Sequence, residues 1–140
     1  MNTKRASLLA GHAAIVLLIG FIVGFPFATA TTSGGDVRAW RMAHMEGLLN
    51  GLLMLGVAAA SPLLRLGPRA QGILYWTLVI TGYGNALASW LAAGSGERGL
   101  AAGGSLANNL VFAGFMIAVL TVIVAVIVIA IGAFRAARTS

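Results

Sequence analysis

The chain contains no cysteine. Disulfides, thiolate metal ligands and thiol nucleophiles are therefore excluded. Charge is nearly as scarce: Asp, Glu, Lys and Arg make up 9% of the sequence, against about 25% in an ordinary soluble domain. A chain so poor in charge is unable to cover a globular surface with polar groups. Only three residues are acidic, which leaves little scope for a catalytic carboxylate pair. The signatures of soluble enzymes are also missing. There is no P-loop, no G-x-G-x-x-G opening a helix after a strand, and no H-E-x-x-H.

What is present is apolar length. Of 140 residues, 59% are hydrophobic, in runs long enough to cross a bilayer, which takes roughly 20 residues per helix. The expectation is an all-α protein: one integral membrane domain over residues 1–140, a bundle of four transmembrane helices at about 8–28, 40–64, 71–93 and 105–134. The first run, Leu8 to Ala28, ends near Ala28-Thr29-Ala30 and has some look of a secretory signal. It is longer than the usual signal core of about 7–15 residues, so it reads as a retained helix. Pro26 marks its expected end, and Thr29 to Val37 reads as a polar loop. Ser105 is a suitable N-cap for the fourth helix.

The net charge of +6 does not imply nucleic acid. The nine Lys and Arg residues are scattered at the ends of apolar runs, where they carry topology information. Lys4, Arg5, Arg65, Arg69, Arg135 and Arg138 lie at the termini and in the second loop, and Arg38, Arg41 and Arg98 in the first and third. Six against three places both termini in the cytoplasm, and the expected setting is a bacterial inner membrane.

Against this apolar background the polar groups inside helices stand out, because burying them at membrane depth is costly. Helix two opens W-R-M-A-H-M-E-G-L-L-N-G and carries His44, Glu46 and Asn50. His44 is the metal-ligand candidate, since neutral imidazole is the commonest protein ligand for transition metals. His44 and Asn50 differ by about 9 Å along the axis and about 120° around it, so they address different parts of any one cavity. His44, Gly47, Gly51 and Leu55 share a stripe. The two glycines leave a flat face on which either a planar cofactor or another helix lies. Glu46 is expected to offset Arg41 or Arg98. Helix three contributes Tyr83, Asn85 and Ser89, the last two one turn apart on one face. Asn108 and Asn109 read as interfacial, and His12 as a second ligand or an interfacial residue.

Several of these segments, taken in order, resemble the styrene oxide isomerase family of small four-helix membrane enzymes. They are Ala10-Gly11-His12, then Trp40-x-x-Ala43-His44-x-x-x-x-Leu49-Asn50-Gly51, Gly82-x-x-Asn85, and Arg98-Gly99-Leu100. The resemblance implies a homotrimer with haem b between subunits, His44 as axial iron ligand and Asn50 as a hydrogen-bonder to substrate. It implies the Meinwald rearrangement of an aryl epoxide to an aldehyde, with ferric iron as Lewis acid. Gly47, Gly51, Tyr83 and Asn85 are placed with the cofactor. Ser89, placed with the substrate, stands where the family has a tyrosine. The partners implied are a small apolar epoxide and the lipid bilayer. The alternative on the same scaffold is a non-catalytic or electron-transferring haem protein, which usually takes two axial ligands.

Overall fold

A computed structural model describes residues 1–138, and among them there are four long helices and no strand. The first, α1, runs Thr3–Ser33. The Asn2 side chain accepts from Arg5 N to cap it, and Gly34 ends it at φ 77°, a left-handed conformation that glycine adopts without a Cβ penalty. Pro26 lies inside this helix rather than at its end. Of the segment expected as a loop, Thr29 to Ser33 is the end of this helix, and only residues 34–36 lie between it and the next. Thr29, Thr31 and Thr32 donate their hydroxyls back to the carbonyls of Phe25, Ala28 and Thr29. Such back-bonding hides a hydroxyl inside a helix, and helices at membrane depth tolerate an internal proline.

The second helix, α2, spans Val37–Ala60, with Asp36 accepting from Ala39 N at its start. A 3₁₀ turn, Ser61–Leu63, extends it. The third, α3, covers Pro68–Ser95 with proline in its first turn, where the missing N–H costs nothing. The fourth, α4, covers Leu106–Ala137, and Ser105 accepts from Asn108 N as its cap. Asn108 also shapes the loop before α4. Its Oδ1 accepts from Gly99 N, and its Nδ2 donates to Ala101 O and Gly103 O. Asn109 Oδ1 accepts from Gly103 N at 2.7 Å.

The helices pack α1 on α2, α2 on α3 and α3 on α4, with α1 also touching α3. Leu9, Val16, Met54, Leu74, Leu78 and Ala125 form the main core. The outside is apolar: Leu18, Phe21, Leu52, Trp76, Leu120 and Val126 are all at least half exposed. Three helical segments are long and apolar enough to cross a bilayer, namely Thr3–Ser33, Val37–Leu63 and Leu106–Ala137. Four such spans were expected. Helix α3 has the length, 28 residues, but Gln71, Tyr75, Thr77, Thr81, Tyr83, Asn85 and Ser89 dilute its hydropathy. Its position accounts for this composition. It buries eleven residues, against six in α1, six in α2 and four in α4, so it faces protein on more sides than any other helix. Three apolar helices on an apolar exterior are compatible with an integral membrane protein.

Candidate functional site

Two polar centres flank α2, one towards α1 and one towards α3. The first is His44. It sits half-buried in the groove between α1 and α2, stacked on Phe27 with ring centroids 5.9 Å apart and planes at 22°. Its Nδ1 lies 2.8 Å from the carbonyl oxygen of Gly20. A carbonyl only accepts, so Nδ1 is the nitrogen carrying hydrogen, and Nε2 presents its lone pair. Among the described residues Ser89 Oγ is the sole buried side-chain N or O atom without a partner. Nε2 of the half-buried His44 has no hydrogen-bond partner and is not among the sealed atoms, so it reaches the surface of the protomer.

Glycines make this arrangement possible. A Cβ on Gly20 would come within 2.8 Å of Leu48 N, and one on Gly24 within 3.3 Å of the imidazole Cε1 and Nδ1. Gly47 meets the Gly20 backbone, and Gly51 meets Leu17, whose Cγ a Cβ would approach to 2.5 Å. In this structure, then, α1 occupies the Gly47–Gly51 face, as a packing seam would. The glycine beside the imidazole is Gly24, one turn after Gly20 on α1.

The second centre is a line of amides. Asn50, 6% exposed, donates through Nδ2 to Glu46 O at 2.9 Å and to Glu46 Oε2 at 2.8 Å. Its Oδ1 accepts from Asn85 Nδ2 at 3.3 Å, which brings α2 and α3 together. Glu46 makes no ion pair with Arg41 or Arg98; its partner is Asn50. Ser89, one turn beyond Asn85, is completely buried, and its Oγ has no partner.

Tyr83 belongs to neither centre. Its hydroxyl lies 3.1 Å from His12 Nδ1, and the two rings meet edge-on at 5.8 Å. His12 precedes Gly20 by eight residues, roughly 12 Å along α1, so in one protomer it is far from the groove that holds His44. Among the described residues no three His, Asp or Glu side chains stand together as a metal site.

The family model described as Styrene oxide isomerase matches residues 5–134. The chain belongs to the styrene oxide isomerase family. The match takes in most of the chain, including His44, Asn50, Asn85 and Ser89. Among curated proteins none matches it. The family name denotes an isomerase, and an apolar helical bundle with few ionisable groups suits an apolar substrate in a lipid setting. Gly20 and Gly24 are spaced as a G-x-x-x-G pair, and of the residues around the imidazole the sequence reasoning missed Phe27. Its role for Glu46, as an ion-pair partner, also differs from the one found.

Proposed function

We propose that the protein is a haem b-dependent membrane isomerase that converts an aryl epoxide of the styrene oxide type to an aldehyde. The observation that carries this reading is His44, inside the family match, with Nδ1–H given to Gly20 O and Nε2 free at the protomer surface. This donor set fits haem. A neutral imidazole anchored through one nitrogen has its tautomer and ring direction fixed, and a macrocycle would bring further ligands of its own. His44 would hold the haem iron through Nε2, with Phe27 and Gly24 holding its ring. Ferric haem, when bound, supplies a Lewis acid for the epoxide oxygen.

The reaction is a Meinwald rearrangement. The benzylic C–O bond opens, a hydride shifts to the benzylic carbon from its neighbour, and the carbon keeping the oxygen becomes the aldehyde. Atoms balance within one molecule, with no net redox change. The chain's task is to bind and orient the epoxide, to donate a hydrogen bond to the oxygen as charge develops there, and to keep water from trapping the cation as a diol. The linked amides of Asn50 and Asn85 are the polar groups at hand, and the apolar helices supply the dry setting. Ser89 stands near them on α3 in place of the family's tyrosine.

The surface position of Nε2 favours a site completed by a second copy, and we read the working form as a homotrimer with haem b between subunits. It lies in a bacterial inner membrane with both termini cytoplasmic, as the basic residues favour. An electron-transferring role would call for a second axial ligand, and His12, bonded to Tyr83 roughly 12 Å further along α1, does not offer one in the same protomer.

The test is direct. Protein purified in mild detergent should show a ferric one-histidine haem spectrum. It should also turn styrene oxide into phenylacetaldehyde with no added reductant or co-substrate. Haem binding without any opening of aryl epoxides would move the assignment to the non-catalytic alternative.

A further inference from the structure

Glu46 is the only acidic residue within α2, carried into an apolar helix without an ion pair. Such a group is expensive at membrane depth, so what it holds is informative. It holds Asn50. The Asn50 nitrogen has two hydrogens, and both are engaged, one by Glu46 O at 2.9 Å and one by Glu46 Oε2 at 2.8 Å. These two acceptors fix the amide orientation, because turning it over would set Asn50 Oδ1 against two oxygens. Oδ1 therefore faces α3 and accepts from Asn85 Nδ2 at 3.3 Å.

The line ends open. Asn85 spends one N–H on Asn50 and keeps the other. Its Oδ1 has no partner among the described residues and is not sealed in, since Ser89 Oγ is the one buried side-chain polar atom there without a partner. Asn85 is only half-buried, whereas Asn50 is 6% exposed. The amide with both a spare donor and access is that of Asn85.

We infer that Glu46 is a positioning residue: its carboxylate locks Asn50, Asn50 orients Asn85, and the free N–H of Asn85 is the donor offered to the oxygen of a bound epoxide. The identity of that oxygen rests on the isomerase reading; the amide line itself does not. Asn50 then acts through Asn85 rather than by touching substrate. A bond to a carboxylate is stronger than one between neutral groups, and successive bonds polarise one another, so the carboxylate both aims and sharpens the final donor.

Two variants of the haem-loaded protein separate the possibilities. Glu46→Gln keeps an acceptor oxygen for Asn50, and Glu46→Leu removes it. Glu46→Leu should keep haem and lower kcat on styrene oxide by on the order of 10–100-fold, the scale of a small misplacement of a catalytic group, with little change in KM. Glu46→Gln should retain most of the rate. In an Asn85→Ala background Glu46→Leu should cost nothing further. An undiminished loss in that background overturns the relay. A second readout needs no turnover. In protein labelled with nitrogen-15 at asparagine, the Asn50 side-chain amide proton should lie downfield, shift upfield in Glu46→Leu and stay near its place in Glu46→Gln. An unmoved signal in Glu46→Leu overturns the amide line whether or not an epoxide is opened. The expected shift in a protein that opens no aryl epoxide supports the line and overturns the isomerase reading instead.

Discussion

His44 Nδ1 and the carbonyl oxygen of Gly20 lie 2.8 Å apart across the α1–α2 groove, and this contact decides what the histidine is able to do. It exists because two glycines, one turn apart on α1, do different jobs. Gly20 lets the α2 backbone come in against α1, and Gly24 leaves the space that the imidazole fills. The same bond that satisfies Nδ1 exposes the lone pair of Nε2. Packing and ligand chemistry are thus set by one pair of residues.

That arrangement makes Gly24 a test of the ligand assignment that leaves His44 itself in place. A valine at Gly24 puts branches where a Cβ alone already meets the ring at 3.3 Å. Gly24→Val should lower haem content sharply, and His44→Ala should remove most of it, both read from the Soret absorbance per chain. Full haem occupancy in His44→Ala would rule out the axial role.

Gly47 should behave differently. Its neighbours are the Gly20 backbone atoms rather than the imidazole, and backbone is unable to move aside as a flexible side chain does. Gly47→Val should destabilise the α1–α2 pair by about 1–3 kcal/mol, the usual range for overpacking. Thermal unfolding in detergent is the measurement. A variant as stable as the parent would show that the two helices do not meet there.

Much of this was legible in the sequence, and the exceptions share a cause. The scarcity of charge and the apolar runs gave the class and the four helices, and Ser105 is the cap that its position before α4 suggested. The shared face of Asn85 and Ser89 follows from helical spacing. Hidden from the sequence was how each helix is turned against its neighbours. Gly47 and Gly51 form a flat face with any occupant, and it is α1 that fills it. Glu46 and Asn50, four residues apart on α2, share a face by helical spacing alone, and that spacing was the overlooked signal for their bond. Pro26 read as a stop because proline removes a helical hydrogen bond; the helix runs through it to Ser33, with the threonine hydroxyls that follow bonded back into it.

The homotrimer should be visible in mass measurement under mild detergent as three chains with bound haem. The motive is Nε2 of His44 at the protomer surface, together with a broad apolar exterior that includes half-exposed Leu18, Phe21 and Leu52. A haem-loaded monomer would contradict the shared site.

Tyr83 offers a control. Its hydroxyl meets His12 Nδ1 at 3.1 Å, and His12 lies roughly 12 Å along α1 from the Gly20 that holds His44. Tyr83→Phe should keep haem at the parent level and lower stability by about 0.5–1.5 kcal/mol, the usual net worth of one hydrogen bond. Loss of haem in this variant, with the fold intact by circular dichroism, would return Tyr83 to the cofactor's surroundings.

Ser89 supports the sharpest contrast. It is fully buried in the protomer and its hydroxyl has no partner. An unsatisfied buried hydroxyl costs about 1–3 kcal/mol, so removing it should be neutral or stabilising: Ser89→Ala should unfold at the same temperature as the parent or above it. Restoring the family's tyrosine is a different matter. A phenol adds a ring to a site with no exposed surface, and the helices must part to admit it. Ser89→Tyr should therefore lose about 1–3 kcal/mol of stability, even though it supplies the hydroxyl that the family pattern has. Turnover of styrene oxide by Ser89→Ala decides the remaining question. If the rate holds while stability holds or rises, the hydroxyl touches no substrate and the serine is a small residue that lets α3 pack. If the rate falls by tenfold or more in a protein of unchanged stability and haem content, the orphaned Oγ is waiting for a ligand, and the substrate reaches deeper between α2 and α3 than the amides alone would place it.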